Sequence, residues 1–87
     1  PIENGPFYGF SLAKSYYCTV GGLKVNTNIE VLREDESVIP GLYAVGCDAG
    51  GLYGDSYDVG IAAGSQEGWA VNSGRLAARS AGAYLGQ

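Results

Sequence analysis

Glycine constrains this chain more than any other feature: it supplies 15 of the 87 residues. The glycines cluster at 21–22, 46, 50–51, 54, 60, 64, 68 and 74 without a three-residue period, which excludes a collagen-like triple helix. Glycine is used where the backbone turns through positive φ or where something packs hard against it. A run of such sites in an otherwise apolar chain predicts a folded protein that lets a ligand or another backbone approach closely. The 46% apolar and 16% charged composition excludes a highly charged disordered tail. No apolar run approaches the roughly 18 residues of a membrane-spanning helix.

Length and charge narrow the classes further. Eighty-seven residues lie just under the range of one full domain. The chain starts Pro1-Ile2-Glu3-Asn4-Gly5, with neither the basic nor the apolar region of a signal peptide, and contains no Met. It therefore reads as a piece of a longer protein. Five basic against nine acidic residues leave a net charge of −4, which argues against a nucleic-acid partner. Cys18 and Cys47 form no C-x-x-C, and without His there is no common zinc pattern. This cysteine density is below that of a small secreted disulfide scaffold.

Along the chain, residues 7–12 read as a short strand and 13–20 as an extended lead into Gly21-Gly22. Leu23 and Val25, then Ile29 and Val31, alternate with polar residues around Asn26-Thr27-Asn28. That period of two predicts a hairpin or two short strands. Residues 33–37 form a charged loop. After the Pro40-Gly41 turn signal, Leu42-Tyr43-Ala44-Val45 is apolar without alternation, as in a parallel-type strand buried on both faces. Gly46 ends it. Residues 46–64 form a long glycine-rich loop with Asp48, Asp55, Asp58, Tyr53 and Tyr57. Loops of this length are usually functional or disordered.

From Ser65 to about Leu85 the pattern is helical, with Ser65 as N-cap and Glu67 placed to complement the dipole. Gly68 and Gly74 each cost about 1 kcal/mol relative to Ala inside a helix. Together with Gly64, Ala78 and Gly82 they predict a small-residue surface that needs a packing partner, and the strands are the candidates within this chain. Trp69 and Leu76 share a second face, predicted to point to the core.

Three blocks resemble the fumarate reductase/succinate dehydrogenase flavoprotein superfamily, in that family's order. Thr19-Val20-Gly21-Gly22-Leu23-Lys24-Val25-Asn26-Thr27 is similar to its T-x-G-G block. Val38-Ile39-Pro40-Gly41-Leu42-Tyr43-Ala44-Val45-Gly46 is similar to V-I-P-G-L-Y-A-x-G, and Ser73-Gly74-Arg75-Leu76-Ala77-Ala78 to the F-G-R-x-A-[AG] of its last helix. The resemblance implies an α/β fold, seen here as an α+β piece: the incomplete C-terminal part of a Rossmann-type FAD-binding domain. Residues 1–20 would connect from the substrate-capping domain and 21–87 would form the FAD-domain segment. The G-x-G-x-x-G fingerprint is absent, so the pyrophosphate cradle is expected elsewhere and FAD is not expected to bind this segment tightly alone. By resemblance, Gly46, Cys47 and Asp48 would approach the ribityl chain, with Asp48 standing in for an acceptor that the family places one residue earlier. A solvated, turn-forming Asp48 and a buried filler role for Cys47 are the alternatives. Ala63, Gly64, Ser65 and Gln66 would point a helix N-terminus at the flavin ring, or form an ordinary capped helix start.

The sequence departs from the fumarate reductases where they bind dicarboxylates. Cys18 stands where they carry His, preceded by Tyr16 and Tyr17, and no Arg or Lys lies between Arg33 and Arg75. Tyrosine hydroxyls can polarise a carbonyl or relay a proton, and the similar 3-ketosteroid dehydrogenase branch uses tyrosines around a ketone. The resemblance thus implies an FAD-dependent oxidoreductase acting on an activated C–C bond of a small enone or enoate, steroid-like or phenylpropanoid-like, and not on fumarate. Tyr57 and Tyr53 are its candidate catalytic residues; Tyr17 and Cys18 are its candidate substrate contacts. Half-buried packing remains the alternative for each tyrosine, and a non-catalytic domain for partner binding or self-association the alternative for the chain. The isolated segment is expected to be inactive and to self-associate.

Overall fold

Asn26 builds the first turn. Its Oδ1 accepts hydrogen bonds from the Asn28 N–H at 2.9 Å and the Glu30 N–H at 3.0 Å. Its backbone carbonyl accepts the Ile29 N–H at 3.0 Å. An asparagine that satisfies nearby backbone donors favours a turn over continued strand. The reversal brings Val25 antiparallel to Val31, as the period-two pattern predicts. It also places Ile29 at φ 65, a costly conformation for a β-branched residue, while its side chain is buried. These features come from a computed structural model that describes residues 3–14, 18–54, 56–57 and 60–86.

Two strands follow, β1 (Glu30–Leu32) and β2 (Val38–Tyr43), joined by the charged loop. In that loop Asp35 accepts from the Ser37 hydroxyl at 2.6 Å and the Ser37 N–H at 3.0 Å. These bonds, the hydroxyl first, hold the Asp35 carboxyl below its ordinary pKa. Lys24 pairs with Glu36 on the surface, where ion pairs contribute little.

The predicted buried, parallel-type strand at 42–45 is not formed. β2 begins at Val38, ends at Tyr43 and pairs antiparallel with β1, with Glu30 opposite Tyr43, Leu32 opposite Val38 and a register shift between. Of the expected stretch only Ala44, just past the strand, is buried; Leu42 and Val45 are exposed. Apolar character promised burial, but the partner within reach is the neighbouring hairpin strand, which covers one edge and no face. The strand expected at 7–12 is also absent: this segment makes no strand pairing, and Leu12 is 94% exposed. Among the described residues the architecture is a two-stranded antiparallel sheet and one helix, the α+β form of a partial domain.

Helix α1 (Ser65–Tyr84) matches the predicted span closely. Its N-cap is Gly64, at φ 76, and not Ser65, which is already helical. A left-handed residue at that point is accessible to glycine at little cost. A Cβ at Gly68, Gly74 or Gly82 would have nothing within 4 Å beyond the helix itself. The strands therefore do not supply the packing partner that the sequence predicts. Trp69 does face inward, against Val31, Ala44 and Ala49, with Val25 and Ile39 alongside. This core is small. The radius of gyration is 18.9 Å, against about 12 Å for a compact domain of this length. Among the described residues no helix is long and apolar enough to cross a membrane.

Candidate functional site

The site begins where two backbones touch. The Leu23 N–H donates to the Asp48 carbonyl at 2.7 Å, and the Gly50 N–H donates to the Leu23 carbonyl at 2.9 Å. A Cβ on Gly22 would lie 2.6 Å from both the Asp48 carbonyl oxygen and the Gly50 nitrogen. One on Gly50 would lie 2.8 Å from the Gly22 carbonyl oxygen. The close backbone approach expected of a glycine-rich chain is thus realised between these two residues. It stations the 3-10 turn Gly46–Asp48 beside Gly21-Gly22. Thr19, Gly21, Gly22, Val45, Cys47 and Asp48 share an open groove there.

The same turn packs on α1. Gly46 is buried at φ 58. Its N–H donates to Ser73 Oγ at 2.9 Å, and its carbonyl accepts Trp69 Nε1–H at 3.0 Å. Ser73 is fully buried, and its hydroxyl donates to the Trp69 carbonyl at 2.7 Å. One turn earlier, Gln66 Nε2 donates to Cys47 Sγ at 2.7 Å. Gln66 is only 6% exposed, and its Oε1 has no hydrogen-bond partner among the described residues. The structure therefore joins Gly46 and Cys47 to the first half of α1, although eighteen residues or more separate them in sequence.

The helix start carries no side-chain cap, so its positive end is not quenched by one. The Ser65 N–H is taken by the Ala62 carbonyl at 3.1 Å; Ala63 and Gly64 are exposed. The Tyr53 hydroxyl reaches Ser65 Oγ at 3.3 Å, and the Tyr53 and Tyr57 rings pack with centroids 4.9 Å apart and planes tilted by 51°. Both tyrosines line a small hollow with Ser56, Ile61 and Ala62. The two candidate tyrosines thus sit together at the helix start. Cys18 is a half-buried free thiol and Cys47 an exposed one. Asp48 is exposed at the groove. Tyr16, Tyr17, Asp55 and Asp58 lie outside the described residues.

Ser73 and Trp69 were not legible as site residues. The available signal was weak: a serine inside a helix competes for backbone partners and calls for an explanation. Trp69 read only as core.

The FAD binding domain family matches residues 1–60. Vinyl phenol reductase of Lactiplantibacillus plantarum is 49% identical over 99% of the chain, which covers 17% of that protein. Urocanate reductase of Eggerthella lenta is 48% identical over 58% of the chain and 8% of its own length. Fumarate reductase (cytochrome) of Shewanella frigidimarina is 31% identical over 95% of the chain and 14% of its own length. The chain thus spans less than a fifth of each of these relatives. No solved structure is a significant match.

Proposed function

The chain belongs to the FAD binding domain family, and from that premise we propose that it forms one wall of the FAD site in an oxidoreductase acting on an activated C–C bond. Gly46, Cys47 and Asp48 hold the cofactor from one side, and Ala63, Gly64, Ser65 and Gln66 from the other. The observation that supports the fit is the buried, unpartnered Gln66 Oε1 at the junction of these two groups. A buried acceptor without a donor is costly, and a flavin edge carries an N–H as well as carbonyl oxygens. The positive end of α1 favours negative charge beside it. When bound, FAD supplies two-electron hydride chemistry. Asp48 offers a carboxylate to hydroxyl donors, and Tyr57 Oη delivers or receives the proton at the substrate. Tyr53 is steadied through Ser65 Oγ. Tyr17 and Cys18 contact substrate.

Charge supports a substrate class. Residues 34–74 contain no Lys, Arg or His. A dicarboxylate entering a dry pocket needs paired cations, and Asp48 would repel it. A neutral or weakly polar alkene, enone-like or phenylpropanoid-like, needs only one or two hydrogen-bond donors. The 49% identity to a vinyl phenol reductase, named for an uncharged aromatic alkene, supports this reading. The protein that carries this segment is expected to purify with bound FAD. With a viologen donor it should reduce a vinyl phenol or an enone with kcat/KM at least about a hundredfold above fumarate, since like-charge juxtaposition costs several kcal/mol. Efficient fumarate reduction would overturn the substrate assignment.

A second reading rests on the bare helix face. The isolated 87-residue segment is proposed to self-associate through the surface at Gly68 and Gly74 and through the exposed apolar residues Phe7, Phe10 and Leu12. Sedimentation at high micromolar concentration should give dimers or larger species without stoichiometric FAD. A clean monomer argues against this surface.

A further inference from the structure

We infer that Ser73 and Trp69 are positioning residues for the cofactor: together they clamp both backbone groups of Gly46 and so fix one half of the site to the helix that carries the other half. The inference rests on the FAD-site reading above. Gly46 leaves the extended segment at positive φ; its N–H is bonded to α1, and its carbonyl is bonded to α1 and to the Ala49 N–H that closes the turn, instead of continuing a sheet ladder. A buried backbone donor and acceptor at such a corner need partners. The donor's partner is a side chain, the carbonyl takes a side chain beside the Ala49 N–H at 3.3 Å, and the two side chains stand one helical turn apart on the same face of α1. The atoms balance. The Ser73 hydroxyl has one proton, given to the Trp69 carbonyl, and a lone pair that takes the Gly46 N–H. The Trp69 indole can only donate, and it donates to the Gly46 carbonyl. Gln66, on the first turn of the same helix, then meets Cys47, the next residue of the corner. One rigid helix therefore sets the spacing between the Gly46–Asp48 turn and the Ser65–Gln66 end, and a site needs that spacing held closely to grip a planar ring.

The test uses the intact protein that contains this segment. Ser73→Ala and Trp69→Phe are each expected to raise the FAD dissociation constant about tenfold and to shift the visible absorption bands of the bound flavin. Ser73→Thr and Ser73→Val have the same shape and differ only in the hydroxyl, so the threonine variant should bind FAD more tightly than the valine variant. Variants that lose apoprotein stability yet keep wild-type FAD affinity and spectrum would reduce the pair to ordinary packing and overturn the inference. Equal affinities for the threonine and valine variants would do the same. Amide exchange at Gly46 separates the two levels of the argument. It should accelerate in Ser73→Ala whether or not flavin binds, and unchanged exchange overturns the clamp itself. A wild-type protein that holds no flavin, with exchange still accelerated in the variant, overturns the cofactor reading and leaves the clamp as a structural device.

Discussion

Gly22→Ala is expected to disrupt the junction between the hairpin and the Gly46–Asp48 turn, whereas Gly21→Ala, one residue away, is expected to be nearly neutral. The contrast comes from what each new methyl would meet. At Gly22 it would lie 2.6 Å from the Asp48 carbonyl oxygen and 2.6 Å from the Gly50 nitrogen; at Gly21 it would meet nothing within 4 Å. Both obstacles at Gly22 are backbone atoms, and the segments they belong to are tied by the Leu23–Asp48 and Gly50–Leu23 hydrogen bonds. Neither can rotate away as a side chain would. Overpacking typically costs 1–3 kcal/mol, and a clash confined to backbone belongs near the top, about 3 kcal/mol. Gly50→Ala meets the same contact from the other side and should cost a similar amount, with the double variant falling short of the sum. Denaturant midpoints of the intact protein would decide the matter. Equal midpoints for Gly21→Ala and Gly22→Ala would show that the two backbones are not in contact.

Tyr57→Phe should lower turnover of the preferred alkene by about 10²–10³-fold while leaving KM within a few-fold, as loss of a positioned proton donor does. Its ring stays packed against Tyr53, so the substitution keeps that contact. Tyr53→Phe acts differently. It removes the contact to Ser65 Oγ at the helix start, so a smaller loss of turnover is expected together with weaker FAD retention. Steady-state kinetics with the two variants side by side, and flavin content measured on each, distinguish the roles. Unchanged turnover in both would remove the tyrosines from the chemistry.

Residue type and spacing alone determined several things about this chain. The alternation on either side of Asn26-Thr27-Asn28 specified a hairpin, because side-chain direction in a strand repeats every two residues and Asn bonds its own turn. The run from Ser65 specified a helix, and its observed end at Tyr84 lies one residue from the expected one. The three motif blocks carried the resemblance to the family, and the missing cations between Arg33 and Arg75 set the substrate argument. All of these are properties of local sequence or of which residues are present.

What only the tertiary structure decided involves contacts between distant segments. Leu42–Val45 looked like a strand buried on both faces, but hydrophobicity records a preference for burial and does not say which partner is available; here it is β1, antiparallel. Gly21 and Gly22 are indistinguishable as letters, yet only Gly22 meets another backbone, at Asp48 and Gly50. Ser65 had the chemistry of an N-cap, but Gly64 takes the left-handed position and becomes the cap itself. Ser73 and Trp69 carried no spacing that ties them to Gly46. Their hydrogen bonds exist because α1 is laid across the corner after β2, and the docking of one element on another is set by packing over the whole chain, where no periodic pattern reaches.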